Sequence, residues 1–386
     1  MAHHNTVLAQ MLQLIPRHVF EHQVETQAGQ GPRPRKLSYW SQLVAMLYAQ
    51  LSGKKSLRDL VFSLGRHVTK LYHLGLDPVK RSTLADANEQ RPARVFARTY
   101  FRLLSRLEAE LARQPGHRRV KILDATYVPV CASLFPWADF MPGKSAVKLH
   151  FLLEAEAGTP QDLQITSGQV HELEVARTLS FTPGDLVLLD RGYVDFTWLY
   201  FLHQQGVGFV TRLPGNIRYR VVQENPVPVD SPVRADQIIR LSTTYSRAHY
   251  PETLRMVHYR DPDTGKDYIF LTNRPDLTAL AVADLYRQRW QIETFFRWIK
   301  QNLKIKAFYG TSENAVLIQI WTAMLAYLLL LWLKVRSWVD WSILELTRLV
   351  QNLIMERTDL WALLCPRSSD PPDESQLALF DLGGAY

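Results

Sequence analysis

Four polar residues close together near the end of the chain have types and a spacing suited to chemistry on a polyanion. They are Tyr286, Arg289, Glu293 and Lys300. The surrounding stretch, 285–305, contains no Gly or Pro and predicts one long helix. At about 100° per residue, the four side chains fall within an arc of roughly 60° on one helix face. A carboxylate flanked by a guanidinium, an ammonium and a phenol suits a metal-bound acid beside phosphate groups. The alternative is a solvated helix face with ordinary Arg–Glu pairing.

The spacing Y-x2-R-x3-E-x6-K resembles the YREK motif of bacterial cut-and-paste transposases in the IS-four insertion-sequence family. The resemblance implies that Glu293 is a catalytic acid and that Tyr286, Arg289 and Lys300 hold the phosphates of a DNA end. It also requires two more carboxylates earlier in the chain.

Two aspartates lie on strands predicted ahead of this helix. Residues 118–130 predict a strand interrupted by Asp124, and an acid in an apolar strand is costly to bury without a cation or a partner. Residues 184–193 predict a buried strand that ends at Asp190. Taken singly, Asp124 fits an edge-strand acid, and Asp190 fits an acid that caps a turn.

The predicted elements follow an order that is informative about the fold. Strands are predicted at 118–130, 148–156, 161–168, 184–193 and 207–213, with helices at 171–181 and 195–206. This order is similar to the RNase H-like fold of DDE transposases and retroviral-type integrases over about residues 118–335. The fold class expected is α/β: a mixed five-stranded sheet with helices on both sides, a β-rich insertion and a helical N-terminal domain.

The same resemblance implies that Asp124, Asp190 and Glu293 are the catalytic and metal-binding triad. Carboxylate oxygens are the ligands that hard cations prefer. The cofactor implied is Mg²⁺, two ions with Mn²⁺ as a substitute, with Asp124 bridging both ions. Two such ions can activate a nucleophile and stabilise the leaving oxygen.

Other residues are candidates near this triad. Arg191 and Tyr193 follow Asp190 directly and are expected to reach phosphate. Lys148 and His150 alternate on a predicted strand, so both can face the site; the alternative for His150 is a satisfied histidine on a strand face.

Residues 216–280 are rich in β signals, and 254–274 predict a hairpin with its turn at DPDTG. A β insertion at this point occurs in the hairpin-forming transposases of the family, where an aromatic residue holds a base flipped from the DNA end. The insertion has tyrosines but no Trp, so that residue stays unassigned. Trp290 is a candidate for contacts near the flipped base, with core packing as the alternative.

The charge is concentrated at the N-terminus. The net charge is +8, and residues 1–115 hold seventeen Lys and Arg against eight Asp and Glu, a net charge of +9. This basic segment predicts a surface that binds nucleic acid, with a generic basic surface as the alternative. Asn88, Gln90, Arg91 and Arg94 are candidates for base or phosphate contacts.

The expected domains are a basic helical DNA-end-binding domain at 1–115, an RNase H-like catalytic domain at 116–335 with its β insertion at about 216–280, and C-terminal helices with a mobile tail at 336–386. The apolar stretch 315–333 is long enough to span a membrane. Its polar residues favour a buried core helix covering the sheet.

The resemblance implies the function of a cut-and-paste transposase that binds the terminal inverted repeats of a bacterial insertion sequence. It would hydrolyse phosphodiester bonds at the ends through a hairpin intermediate and join the 3′-hydroxyls to target DNA. The partners expected are double-stranded DNA and a second copy in a synaptic homodimer, with no membrane. Cys131 and Cys365 lie far apart, and the N-terminus lacks signal-peptide features, so we expect a prokaryotic, cytoplasmic, nucleoid-associated protein. The alternatives are a domesticated, catalytically inactive DNA-binding protein and an RNase H-like structure-specific nuclease.

Overall fold

The computed structural model describes residues 5–29, 34, 36–112, 120–303, 305 and 307–366. They divide into two compact units. A helical unit takes in the described residues up to 108, with those of 302–310 and 314–366, and an α/β unit takes in the others. The predicted boundary at 115/116 and the predicted tail beyond residue 366 lie outside the described residues.

The N-terminal part of the helical unit is a series of short helices. They are α1 (Val7–Leu12), α2 (Arg17–Gln27), α3 (Tyr39–Leu51), α4 (Leu57–Gly65), α5 (Val68–Leu71), a 3₁₀ helix (Tyr72–Leu74), α6 (Arg81–Gln90) and α7 (Arg94–Leu111). Ser38 and Ser56 are the N-caps of α3 and α4, because their hydroxyls accept hydrogen bonds from the amides of Ser41 and Asp59. Helix α3 is buried from Trp40 onward on all sides, so it forms the centre of this part of the unit.

The α/β unit is organised around one ten-stranded sheet among the described residues. Its strands are β1 (Val120–Val130), β2 (Asp139–Met141), β3 (Lys144–Glu154), β4 (Pro160–Ser167), β5 (Leu186–Leu189), β6 (Gly208–Arg212), β7 (Tyr219–Glu224), β8 (Val233–Leu241), β9 (Leu254–Arg260) and β10 (Asp267–Thr272). The order is β2-β3-β1-β5-β6-β10-β9-β8-β7, with β4 also paired to β3. Strands β1, β3 and β4 are antiparallel neighbours, whereas β1, β5 and β6 run parallel.

The five strands predicted for the core are present as β1, β3, β4, β5 and β6, but the sheet is larger than predicted because the β insertion is continuous with it. Strand β10 pairs antiparallel with β6, placing Leu271 opposite Thr211. The insertion thereby covers an edge of β6 that would otherwise expose unpaired amide and carbonyl groups. The hairpin predicted over 254–274 is confirmed as β9 and β10.

Two further helices of this unit follow β4 and β5. They are α8 (Glu172–Ala176) and α9 (Phe196–Gln204), and a 3₁₀ helix (Arg191–Tyr193) precedes α9. Asp195 begins α9 as its N-cap and accepts a hydrogen bond from the Trp198 amide. Trp198 and Leu202 belong to a buried apolar cluster with Leu123 and Leu189 of the sheet. Helix α10 (Thr244–His249) lies within the insertion.

The helix predicted over 285–305 is two helices, α11 (Ala279–Gln288) and α12 (Trp290–Asn302), and Arg289 joins them. Arg289 keeps right-handed helical angles, φ −53° and ψ −29°. Its amide bonds to the Tyr286 carbonyl, and its own carbonyl accepts from the Ile292 amide, at 3.1 and 3.2 Å. Both are i→i+3 bonds, which tighten the chain and interrupt the α-helical ladder.

Helix α12 packs on the face of the sheet opposite to α9. Phe295 and Phe296 contact Phe151 of β3, with ring centroids 5.0 and 5.7 Å apart. Phe151 pairs with Asp124, whereas Leu123 faces the α9 cluster. Because neighbouring residues of a strand point to opposite faces, the sheet carries helices on both sides.

The chain then returns to the helical unit with α13 (Glu313–Arg336), α14 (Ile343–Leu353) and α15 (Leu360–Leu364). Helix α13 is long and apolar enough to cross a membrane by length and composition, and 94% of its most apolar window is buried. Trp321 packs against Tyr100 and Phe101 of α7, with ring centroids 5.6 and 5.5 Å apart. The predicted burial is confirmed. However, α13 groups with the N-terminal helices, whereas the predicted catalytic domain extends to residue 335.

Candidate active site

Asp124 lies near the middle of β1 on the face that α12 covers. Its side chain is 16% exposed, and its Oδ1 accepts a hydrogen bond from the Ala125 amide at 2.8 Å. The pKa of Asp124 is raised to about 7, chiefly by burial, and the charges of Glu293 and Glu172 act in the same direction. The hydrogen bond from the Ala125 amide and the charge of Arg289 act in the opposite direction and favour the ionised form.

Asp190 lies beside Asp124. Strands β1 and β5 are parallel neighbours with Leu123 paired to Leu189, so the next residue of each chain is the acid. The Tyr286 hydroxyl donates to Asp190 Oδ1 at 3.5 Å, a long hydrogen bond. The structure thus brings together two of the three predicted acids and the first residue of the Tyr-Arg-Glu-Lys motif.

Arg289 joins the third acid to this pair. Its Nη1 lies 3.1 Å from Asp124 Oδ2 and 3.7 Å from Glu293 Oε1. The guanidinium also lies over the Tyr286 ring, 5.7 Å from the centroid. Its side chain is 12% exposed, so these charges interact in a partly desolvated setting where Coulomb energies exceed those in water.

Lys300 reaches the same strand from farther along α12. Its ammonium donates to the hydroxyl of Thr126, two residues after Asp124 and therefore on the same face of β1. The four motif residues accordingly converge on one patch of β1 and β5, even though the helix is interrupted at Arg289.

The side chains of this patch include the carboxylates that a divalent cation prefers. In this arrangement, however, they do not form a metal site. Three carboxylates are the donors that Mg²⁺ prefers, and burial is the main reason for the raised pKa of Asp124. Within the described part of the chain, however, no three His, Cys, Asp or Glu side chains are grouped closely enough to bind one ion. The Arg289 guanidinium contacts both Asp124 and Glu293.

A pocket of about 260 Å³ opens beside Arg289. It is lined by Arg212, Tyr259, Asp261, Tyr268, Phe270, Ala283, Tyr286, Arg287, Arg289 and Trp290. The Tyr268 and Phe270 rings are nearly parallel at 6.0 Å, and Arg212 lies over Tyr268 at 5.4 Å. Aromatic faces with guanidinium groups form a surface on which a flat heterocycle can stack.

Trp290 and Arg191 are accessible, whereas Tyr193 is not. Trp290 is 60% exposed at the pocket, which excludes the alternative of core packing. Arg191 is exposed directly after Asp190. Tyr193 is only 1% exposed, and its hydroxyl has no hydrogen-bond partner among the described residues. The expected phosphate contact of Tyr193 is therefore wrong for this structure, because its ring packs into the α9 cluster.

Lys148 and His150 lie on the other face of the sheet from Asp124. They pair with Tyr127 and Ala125 of β1, and paired residues share a face. Lys148 is buried and binds Glu172 at 3.1 Å. The β1–β3 register gives both residues the opposite parity to Asp124, so His150 is the alternative, a histidine on a strand face, 3.0 Å from the Thr166 hydroxyl.

Two of the expected DNA contacts in the helical unit are structural. Asn88 is buried and accepts a hydrogen bond from the Gln42 side chain at 2.8 Å. The Arg91 guanidinium donates to the Ser38 carbonyl at 3.1 Å and to Gln42 Oε1 at 3.0 Å. These two residues hold the start of α3 and are not available to a base.

Sequence reasoning missed Glu172 and two pocket residues, Arg212 and Phe270. Glu172 lies near the start of the helix predicted at 171–181, and a lysine within the apolar run KLHFLL is the signal for a buried partner acid. Phe270 follows Tyr268 by two residues, which places both rings on one strand face. Arg212 has no comparable signal, because its place in the pocket depends on the pairing of β6 with β10.

Comparison with known proteins shows the family to which the chain is similar. Residues 115–329 match the family model described as a transposase DDE domain, and residues 3–77 match a domain of unknown function, DUF4372. A putative transposase, y4zB, of Sinorhizobium fredii is 33% identical over 300 residues, covering 77% of this chain and 83% of that protein. A probable transposase for insertion sequence element IS5377 of Geobacillus stearothermophilus is 31% identical over 275 residues, covering 70% and 71%.

Among solved structures, a cryo-EM structure of a piggyBac transposase synaptic complex with hairpin DNA aligns with 95% of this chain and 85% of that one. The TM-score is 0.48, with 12% identity.

The fold contains a mixed sheet with helices, and the family model covers more than half of the chain. The chain therefore belongs to the DDE transposase family. It is a transposase of the insertion-sequence type, a class that implies the use of a divalent metal ion.

Proposed function

We propose that this chain is a transposase of the IS-four type that moves its insertion sequence by a cut-and-paste route. It binds the terminal inverted repeats, hydrolyses phosphodiester bonds at the ends, and joins the released 3′-hydroxyls to target DNA. The observation that carries the proposal is the convergence of Tyr286, Arg289 and Lys300, with Glu293, on the strands that bear Asp124 and Asp190.

We infer that the sheet contains an RNase H-like core. The support is its strand arrangement, in which antiparallel β1, β3 and β4 are continued by parallel β5 and β6. An acid within the first strand, another at the end of β5 and a third on a late helix agree with that inference.

Asp124, Asp190 and Glu293 are the proposed catalytic acids and metal ligands. The proposed cofactor is Mg²⁺, as two ions, with Mn²⁺ as a substitute. When bound, it would supply Lewis-acid stabilisation of charge on the phosphate and on the leaving oxygen. The three acids would hold the ions at the face of β1 that α12 covers.

Tyr286, Arg289 and Lys300 are the proposed phosphate contacts. A guanidinium binds phosphate oxygens through paired N–H groups, and an ammonium adds a point charge. Arg191, exposed directly after Asp190 at the start of the 3₁₀ helix, adds a further cation beside the second acid.

The pocket supports a hairpin intermediate on the transposon end. Bending a strand back on itself at the last base pair requires an unstacked base, and stacking on a protein ring offsets its cost. Tyr268, Phe270 and Trp290 provide rings within the pocket that Arg289 and Tyr286 also line. An unstacked base in this pocket would lie beside the phosphate-binding residues.

Residues 1–115 are proposed to recognise the DNA end, supported by their net charge of +9. Because a cut-and-paste reaction joins two ends, we propose a homodimer in the synaptic complex. We further propose that the protein acts on the nucleoid in a prokaryotic cytoplasm.

The test is metal-dependent cleavage of a duplex carrying the element's own end, separated on denaturing gels, with wild type and Glu293→Gln side by side. The proposal expects a nicked strand followed by a slowly migrating hairpin, both lost in the variant. End binding without cleavage by wild type would contradict it and point to a domesticated DNA-binding protein.

A further inference from the structure

Arg289 occupies the position where positive charge is needed between two of the acids. A single nitrogen, Nη1, contacts both Asp124 Oδ2 at 3.1 Å and Glu293 Oε1 at 3.7 Å. The guanidinium therefore compensates the same two carboxylates that a divalent ion would bind. A cation entering there would meet a fixed charge of like sign at short range, and this repulsion opposes its binding.

The same side chain retains an unused donor. Arg289 Nε is buried and has no hydrogen-bond partner in the part of the chain that the structure describes. A buried N–H without an acceptor is unfavourable, so an acceptor that reached it would gain a full hydrogen bond. A phosphate oxygen is the acceptor best matched to a guanidinium edge.

The backbone at Arg289 is suited to a change of partner. Arg289 lies at the junction of α11 and α12, where i→i+3 bonds replace the α-helical ladder. A residue between two helices can re-aim its side chain without unwinding either one. Glu293 lies one turn farther on, within α12.

We propose that Arg289 has two alternative partners, the acids in the free protein and a DNA-end phosphate in the complex. Phosphate binding draws the guanidinium away from Asp124 and Glu293 and releases both carboxylates to a divalent ion. Metal binding is thereby coupled to DNA-end binding. This inference rests on the proposed function, because it takes the three acids as the metal ligands.

As a consequence, hydrolysis is restricted to DNA whose end phosphate is bound at Arg289. Without a phosphate at Arg289, the acids remain paired with the guanidinium and bind a metal ion weakly. Coupling between two ligands is reciprocal, so the metal ion must also increase the affinity for the DNA end by the same factor.

The test measures Mn²⁺ binding to the full-length protein through loss of the free-ion EPR signal. Wild type is compared with Arg289→Gln and Arg289→Ala. Arg297→Gln serves as the matched control, because Arg297 is exposed on the same helix. Each protein is titrated alone and with a duplex carrying the element's end, after subtraction of the ion bound by the duplex itself. Thermal unfolding verifies that the variants are folded, and Gln retains much of the side-chain volume should Ala destabilise the protein.

We expect the DNA-free Arg289→Gln protein to bind Mn²⁺ about tenfold more tightly than wild type, within the usual range of coupling. The end duplex should tighten binding by a similar factor in wild type and in Arg297→Gln, but not in Arg289→Gln. Equal Mn²⁺ affinities for DNA-free wild type and both folded Arg289 variants would overturn this inference but not the proposed function. Unchanged Mn²⁺ binding by Asp124→Asn would instead overturn the metal-ligand assignment, and with it the inference.

Discussion

Lys300 and Arg289 reach β1 from positions three turns apart, and each contacts a residue on the same face of that strand. Their spacing in the sequence predicts a shared helix face but not these partners, Thr126 and Asp124. Side-chain partners across elements depend on the register of the sheet and on where the helix docks, which periodicity does not contain. For the same reason the sequence left open the face on which His150 lies.

Lys300→Ala is expected to weaken binding of the DNA end and to reduce the slope of log affinity against log salt by about 1, because one phosphate contact is lost. Fluorescence anisotropy with a labelled end duplex across a salt series measures this. Arg297→Ala, which removes a charge from the exposed side of the same helix, is the control. An unaltered slope in Lys300→Ala would rule out the phosphate contact.

Tyr268→Ala is expected to reduce hairpin formation by about 5- to 150-fold while preserving the first nick, because base stacking on a ring contributes about 1–3 kcal/mol. Single-turnover kinetics on denaturing gels separate the two products. Tyr268→Phe retains the ring and should behave as wild type. Equal loss of nick and hairpin in Tyr268→Ala would mean that the pocket does not hold an unstacked base.

At the scale of elements, the order of strands and helices could be predicted. The interruption of the helix at Arg289 and the pairing of β10 with β6 could not. Every strand predicted in the core appears, since each is a short apolar run between turn signals. The break at Arg289 has no Gly or Pro to signal it. The pairing of β10 with β6 joins residues about sixty positions apart, which no local pattern reveals.

A buried ion pair ties the insertion to the start of α11. Arg255 of β9 binds both carboxylate oxygens of Asp236, at 2.8 and 2.6 Å, and also donates to the Leu277 carbonyl, just before the Thr278 N-cap. The side chains of the pair are only 6% and 7% exposed. This contact positions the helix that carries Tyr286.

Arg255→Met should lower the free energy of unfolding by about 3–5 kcal/mol, because it leaves the Asp236 carboxylate buried without a partner. Urea unfolding followed by circular dichroism provides the measurement. Arg274→Met is the matched control, since Arg274 and Asp276 are 32% and 57% exposed, and such pairs contribute about 0–1 kcal/mol. Similar losses in both variants would contradict this role for the buried pair.

At the scale of the whole molecule, the sequence predicted a helical N-terminal region and an α/β region but misplaced α13. Its apolar residues predict burial without saying against which helices. The structure encloses it with the N-terminal helices, where Asn314 donates to the carbonyls of Asn88 and Arg91. Removal of residues 1–115 would therefore expose an apolar helix as well as remove positive charge.

A chain beginning at residue 116 is expected to aggregate, because α13 would lose the partners of Trp321 and expose a large apolar surface. Size-exclusion chromatography with light scattering tests this. Full-length protein carrying substitutions of exposed N-terminal charges, such as Arg58→Ala with Arg66→Ala, should remain monodisperse. A monodisperse, folded truncated chain would show that α13 does not depend on the N-terminal helices.

The central claim is that Asp124, Asp190 and Glu293 form one cleavage centre. Its most direct test is the single-turnover cleavage rate of an end duplex in Mg²⁺ by Asp124→Asn, Asp190→Asn, Glu293→Gln and the triple variant. Residues that act as a unit are strongly non-additive, so each single variant should fall to the background rate and the triple variant should fall no further. Metal-dependent cleavage that survives in any folded, DNA-binding single variant would contradict the claim.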